Sequence, residues 1–238
     1  MLAFIIRRFL QSIVVMLVVG LIAFVMFRFV GDPVDQMVGL ETSIEDRERL
    51  RETLGLNAPL PMQFWKFISS AVQGDFGTSY QFKRPVADMF GDRLPATLEL
   101  ALISAIFALC AGIPMGVFTA LYKDSVLTKL FQAISLVGIS LPTFLIGILL
   151  IYVFSVQLQW LPSFGRGEVV HIAGWTTGLL TGSGLKALIL PAITLGLFQM
   201  TLIMRLVRSE MMEILRSDFI KFARARGPTP RAVHFGHA

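Results

Sequence analysis

Residues 100–122 read LALISAIFALCAGIPMGVFTALY, a run without one charged side chain. An α-helix rises about 1.5 Å per residue, so this run covers the roughly 30 Å of hydrocarbon that takes about 20 residues to cross. Three further uncharged stretches pass the same test, residues 9–27, 130–165 and 187–204. The stretch from residue 130 exceeds one straight crossing, but Gln157, Gln159, Trp160 and Pro162 give it an exit at an interface, where indole rings settle. The span therefore ends near Val156. Lipid offers no partner to an exposed N–H or C=O, and the turn chemistry of a closed barrel is missing, so each stretch is helix. The fold class expected is an all-α polytopic transmembrane bundle with four spans.

Composition agrees. The 238 residues are 55% hydrophobic and 16% charged, with a mean hydropathy of +0.71, where soluble domains are about a quarter charged. Apolar residues gathered into blocks exclude a disordered tail and argue against a soluble enzyme. The net charge of +5 would suit nucleic acid only on a soluble face, and here the cations flank apolar spans. Cys110 has no intrachain partner and is expected as a small buried hydrophobe.

Residues 169–185 are also free of Lys, Arg, Asp and Glu, yet Gly174, Gly178, Gly182 and Gly184 weaken a helix, so they are read as an external or interfacial segment. Charge supports this. With Arg7 and Arg8 inside, four spans put Lys123, Lys129, Arg205, Arg208, Arg216, Lys221, Arg224, Arg226 and Arg231 on the cytoplasmic side. A fifth span would send the basic tail outside. The first span has no small-x-small cleavage site before Gly31 and is read as an uncleaved signal-anchor, its Arg7-Arg8 pair serving orientation and not twin-arginine export.

The chain then divides into an N-terminal span (1–30), a periplasmic segment (31–93) and a transmembrane core (94–238). In the periplasmic segment, Thr42 or Ser43 with Glu45 and Asp46 start a solvated helix. Gly55, Asn57, Pro59 and Pro61 stop it. Phe64, Trp65, Phe67 and Ile68 follow as an aromatic amphipathic stretch suited to lying against the membrane or the spans, and residues 74–79 form a turn. Within the spans, residues 112–116, 138–142 and 191–196 carry the Gly and Pro of close helix packing. Ser135, Ser140, Pro142, Thr143, Thr194 and Gln199 are the candidates for lining a path. No ionisable residue is expected at mid-membrane, with Glu99 and Arg205 at span ends, so an ion-coupled carrier is disfavoured.

Residues 208–226 are read as a helix continuing the last span inward, with Met211, Met212, Leu215, Phe219 and Phe222 on one apolar face. It stops at Gly227. Pro228, Thr229 and Pro230 make a turn in which Thr229 caps a second short helix from Arg231 through Val233. A helix, glycine and short helix projecting from a bundle form a docking element, although a basic juxtamembrane segment also attracts anionic lipid.

An ordered series of motifs resembles the inner-membrane permease subunits of binding-protein-dependent ABC importers, in the dipeptide, oligopeptide and nickel group. It runs through Phe4-Ile5-Ile6-Arg7-Arg8, Gly31-Asp32-Pro33, Leu54-Gly55-Leu56, Gly74-Asp75-Phe76-Gly77-Thr78-Ser79 and Arg93-Leu94-Pro95-Ala96-Thr97-Leu98-Glu99-Leu100. It continues through Ser140-Leu141-Pro142-Thr143-Phe144, Leu161-Pro162, Leu190-Pro191-Ala192 and Arg208-Ser209-Glu210-Met211. Lys221-Phe222-Ala223-Arg224-Ala225-Arg226-Gly227 resembles the family's EAA loop, with Lys221 in place of the leading acid and Pro228 where a larger apolar residue is common. The resemblance makes Phe222, Ala223, Arg224, Ala225, Gly227, Thr229 and Val233 the ATPase-coupling loop.

It also implies a second homologous permease subunit, two cytoplasmic ATP-binding subunits and a periplasmic solute-binding protein. The expected setting is a bacterial inner membrane, multi-pass, with the N-terminus cytoplasmic and lipid as the surrounding partner. Nucleic acid is not expected. Six spans are usual in the family, so a chain with four that stops inside its docking element is expected to be a truncated form. No Gly-x4-Gly-Lys-Ser/Thr is present, so there is no ATP site and no enzymatic activity of its own; no cofactor and no metal site are expected, His234 and His237 lacking a third ligand. The rival readings are an ATP-independent pore or carrier and a non-transporting anchor or scaffold.

Overall fold

The computed structural model describes residues 1–29, 34, 38, 43–79 and 81–227. They fall into two compact units, Met1–Arg93 and Leu94–Ala238.

In the first unit, α1 (Leu2–Phe29) is apolar all round and has no buried residue from 1 to 26, as a helix in lipid requires. α2 (Ile44–Leu54) starts at the expected cap, the Ser43 Oγ accepting from the Asp46 N–H at 3.1 Å. It ends where Gly55 adopts φ +70° and returns its N–H to the last carbonyls. α3 (Leu60–Val72) follows after Pro59, and the Gln63 amide donates to the carbonyls of Leu56 (2.8 Å) and Ala58 (2.6 Å), which fixes the α2–α3 turn. One face of α3 packs on α1. The Phe24 ring meets those of Phe64 and Phe67 at 5.6 and 6.1 Å, and a Cβ on Gly20 would lie 3.2 Å from the Ile68 side chain.

A long helix, α4 (Val86–Leu121), begins in the first unit and ends in the second. Then come α5 (Val126–Ser140), α6 (Thr143–Ile151) with a π-helical turn over Tyr152–Gln157, the hairpin β1 (Val170–Ile172) and β2 (Trp175–Thr177), α7 (Gly182–Ile214) and α8 (Asp218–Ala225). Among the described residues three helices, α1, α4 and α7, are individually long and apolar enough to cross a membrane. The stretch expected as a single third span is instead two helices, α5 and α6, meeting at 111°. Proline is the cause. Pro142 has no N–H to continue the ladder and holds Leu141 in extended backbone at φ −92°, ψ 136°.

The core of the second unit is the contact of α4 with α7. Ser104, Ala108, Gly112, Gly116 and Ala120 recur every fourth residue and are all buried, while Leu98, Leu102, Ile106, Leu109 and Ile113 point outward. Cys110 is exposed among the latter, not buried as expected, because it falls off the four-residue stripe. On α7 the matching row is Ala192, Gly196, Met200 and Met204, again buried. A Cβ on Gly196 would lie 2.9 Å from the Ser104 carbonyl oxygen, one on Gly112 2.8 Å from that of Met200, and one on Gly116 2.9 Å from that of Met204. Small residues here let two backbones meet, which in lipid replaces the missing hydrophobic drive between helices.

These contacts advance along both helices together, so α4 and α7 run parallel. If both cross, the chain between them must cross back once. The bent pair supplies that return: Ser135 meets Arg205, Gly138 meets Thr201, and Gly147 meets Thr194, an order antiparallel to α7. Counted so, the described residues hold four spans.

Exchange of Gly116 for valine drives side-chain atoms into the Met204 carbonyl and Val207, and overpacking of this kind costs about 1–3 kcal/mol. Denaturant titration of the detergent-solubilised chain should show that loss for Gly116→Val. In contrast, Gly91→Ala, on the same helix with open space around it, should gain about 0.5–1 kcal/mol.

Candidate functional site

Polar chemistry in the second unit gathers at the two ends of the α4–α7 pair. At the α7 N-terminal end, the Glu99 carboxylate is 5% exposed. It accepts from the Trp175 indole N–H (3.3 Å), the Gly178 N–H (3.3 Å) and the Arg166 guanidinium (3.4 Å). Arg166 donates in turn to the Thr176 hydroxyl (3.2 Å) and carbonyl (2.9 Å). The hairpin that presents these groups turns through Ala173 and Gly174, both at positive φ, the backbone of a two-residue hairpin loop. Thr181 closes the knot by capping α7 at the Gly184 N–H and donating to the Glu168 carbonyl at 2.6 Å.

Glu99 was expected at a span end. α4 starts at Val86, so Glu99 lies inside that helix, five residues before Ser104 and next to the start of the uncharged run. Its partners were absent from the sequence reading. The signal available was Arg166, the only Lys or Arg between Lys129 and Lys186. The segment 169–185 is indeed not a span; its β-branched and aromatic residues pair as strands, and helix begins only at Gly182.

At the opposite end, Arg205 donates from Nε to the buried Ser135 hydroxyl at 3.1 Å. One turn on, Arg208 lies against the Gln132 amide, whose oxygen accepts from the guanidinium. Arg205, Arg208, Ser209, Met212, Glu213 and Arg216 line an open groove of about 560 Å³. Among the path candidates, Thr194 is half-buried and returns its hydroxyl to the Leu190 carbonyl at 2.7 Å, beside Gly147. Ser140, Pro142 and Thr143 sit together, exposed, at the α5–α6 bend, and Gln199 is exposed on α7. Ser135 and Thr194 thus join the helix packing, and the other four do not.

The helix expected over residues 208–226 is interrupted. α7 stops at Ile214, residues 215–217 tighten into short-range bonds (Arg216 N–H to Glu213, Ser217 N–H to Ile214), and α8 restarts at Asp218. The Arg216-Ser217-Asp218 sequence explains the break, since Ser and Asp favour helix starts over interiors. Met211 and Ile220 are buried, whereas Phe219 and Phe222 are 60% and 64% exposed. Lys221 pairs with Asp218 at 2.8 Å, and the Arg226 guanidinium lies 5.7 Å from the Phe222 ring centre. Gly227 follows at φ +85°. Ala223, Arg224 and Ala225 are in α8; Thr229 and Val233, with the second short helix, lie outside the described residues.

Two family models match the sequence, the binding-protein-dependent transport system inner membrane component over residues 112–238 and the N-terminal part of the same kind of membrane component over residues 1–101. The chain belongs to this family of transport permeases. It is 35% identical over 238 residues to the glutathione transport system permease protein GsiC of Escherichia coli, covering all of this chain and 72% of that one. To a putative peptide transport system permease protein of Brucella abortus it is 36% identical over 240 residues, covering all of this chain and 74% of the relative. The permease is therefore a multi-pass membrane subunit of a transporter with further subunits.

Removing the Glu99 carboxylate strips acceptors from the Trp175, Gly178 and Arg166 donors, a loss of roughly 1–3 kcal/mol for a buried bond network. In the permease with Glu99→Ala, trypsin should cleave after Arg166 several-fold faster than in wild type. An unchanged cleavage rate would show that the hairpin is held by other means.

Proposed function

We propose that this permease forms half of the translocation path of an ATP-driven importer for peptides or a peptide-like small solute. A second, homologous permease would complete the path. Two ATP-hydrolysing subunits would bind from the cytoplasm, and a periplasmic solute-binding protein would deliver the solute from outside. The N-terminus is cytoplasmic in this reading, because only then do the cations after residue 204 lie inside. The solute class follows the names of the relatives, one for glutathione and one for peptides.

The observation that carries the proposal is α8. It is a short helix set off from a transmembrane helix by a break, with Phe219 and Phe222 exposed beside cations and a positive-φ glycine at its end. An exposed aromatic pair with a basic rim is the composition of an interface anchor. Ile220, buried on the other side, ties the lever to its own chain. Closure of the ATPases would then push on residues 211–227 and, through α7, shift its close contact with α4. No step of chemistry on the solute is required of this subunit, and ATP hydrolysis belongs to the partners.

Two substitutions test this in the assembled importer. Phe219→Asp with Phe222→Asp should abolish co-purification of the ATPase subunits while leaving the permease in the membrane. Gly227→Val strains a backbone conformation that costs an L-residue about 1–2 kcal/mol, and should lower ATP-dependent uptake at least tenfold while ATP hydrolysis persists. Wild-type association in the first and wild-type uptake in the second would refute the proposal.

A further inference from the structure

We infer that α3 is an interfacial helix, seated in the lipid leaflet at the C-terminal end of α1, with phospholipid as the occupant of its second apolar face. The depth of its seat comes from α1. The apolar span there runs Leu2–Met26, and α3 touches it at Gly20 and Phe24. Gly20 lies six residues before Met26, about 9 Å along the axis at 1.5 Å per residue. Helices that lie in the membrane interface sink about 5–10 Å into the headgroup and acyl boundary. A helix bonded to α1 at this level sits among acyl chains, not above them.

The side chains fit that position. At 100° per residue, Phe64, Phe67 and Ile68 occupy the arc that faces α1. The adjoining arc carries Pro61, Val72 and Trp65, then Ser69, with Met62 at its edge, and of these Met62, Trp65 and Val72 are 65%, 73% and 83% exposed. Gln63, Lys66 and Ser70 fill the remaining arc, and Lys66 is the one charge on the helix. α1, against which this helix packs, exposes apolar side chains over most of its own length.

Nitroxide scanning of the full chain in phosphatidylcholine vesicles tests this. With Cys110→Ala removing the only cysteine, spin labels are placed through Met62→Cys, Val72→Cys and Lys66→Cys. At 62 and 72, collision with oxygen should exceed collision with a water-soluble nickel chelate several-fold, and at 66 the order should reverse. Nickel access equal at all three sites overturns the inference, and so does shielding of 62 and 72 from both reagents, which would mean that protein covers the arc. Independently, Trp65→Phe should lower the fraction of tryptophan emission quenched by brominated phosphatidylcholine; an unchanged fraction contradicts the seat.

Discussion

The approach of two backbones along one stripe of small residues is the constraint on which the second unit depends. In water, large apolar side chains draw helices together, but in lipid they gain nothing by leaving one apolar solvent for another. α4 accordingly turns Leu102, Ile106, Leu109 and Ile113 outward and spends Ser104, Ala108, Gly112, Gly116 and Ala120 on the helix contact. Because the partner atoms on α7 are carbonyl oxygens at under 3 Å from the position of an added Cβ, the contact has little tolerance. Its direction also sets topology, since parallel neighbours force an odd number of crossings between them.

That demand gives the bend at Leu141 and Pro142 its place. A helix broken by 111° does not resemble a crossing when taken alone. Packed antiparallel on α7 through Ser135, Gly138 and Gly147, the two halves together make the return. Of the path candidates, Ser140, Pro142 and Thr143 are exposed at the bend, whereas Ser135, Thr194 and Gln199 lie away from it.

Hydrophobic blocks and caps were legible in the sequence because each acts locally or along one helix. The cap at Ser43, the stop at Gly55, the turn around Asp75 and the non-spanning character of residues 169–185 all follow from neighbouring residues. What escaped were features set by distant partners. Pro142 makes the bend locally, but only the contact with α7 shows that the two halves together run back along it. Glu99 stands where the uncharged run begins, but its burial depends on Arg166 and Trp175, far along the chain. The hairpin was hidden by an Ala-Gly turn in place of Asn-Gly, and by glycines that drew attention to helix weakness. The tail was read as one helix because its apolar spacing continues, whereas Ser217 and Asp218 restart it.

The central claim is that α5 and α6 form one full crossing between two parallel helices. Reaction of a membrane-impermeant thiol reagent with single cysteines at Asp124, Ser163 and Asp218, on the Cys110→Ala background in oriented vesicles, tests it most directly. The account predicts that Asp124→Cys and Asp218→Cys react from one face and Ser163→Cys from the other. Reaction of Ser163→Cys from the same face as Asp124→Cys would make the bent pair a re-entrant loop and contradict it.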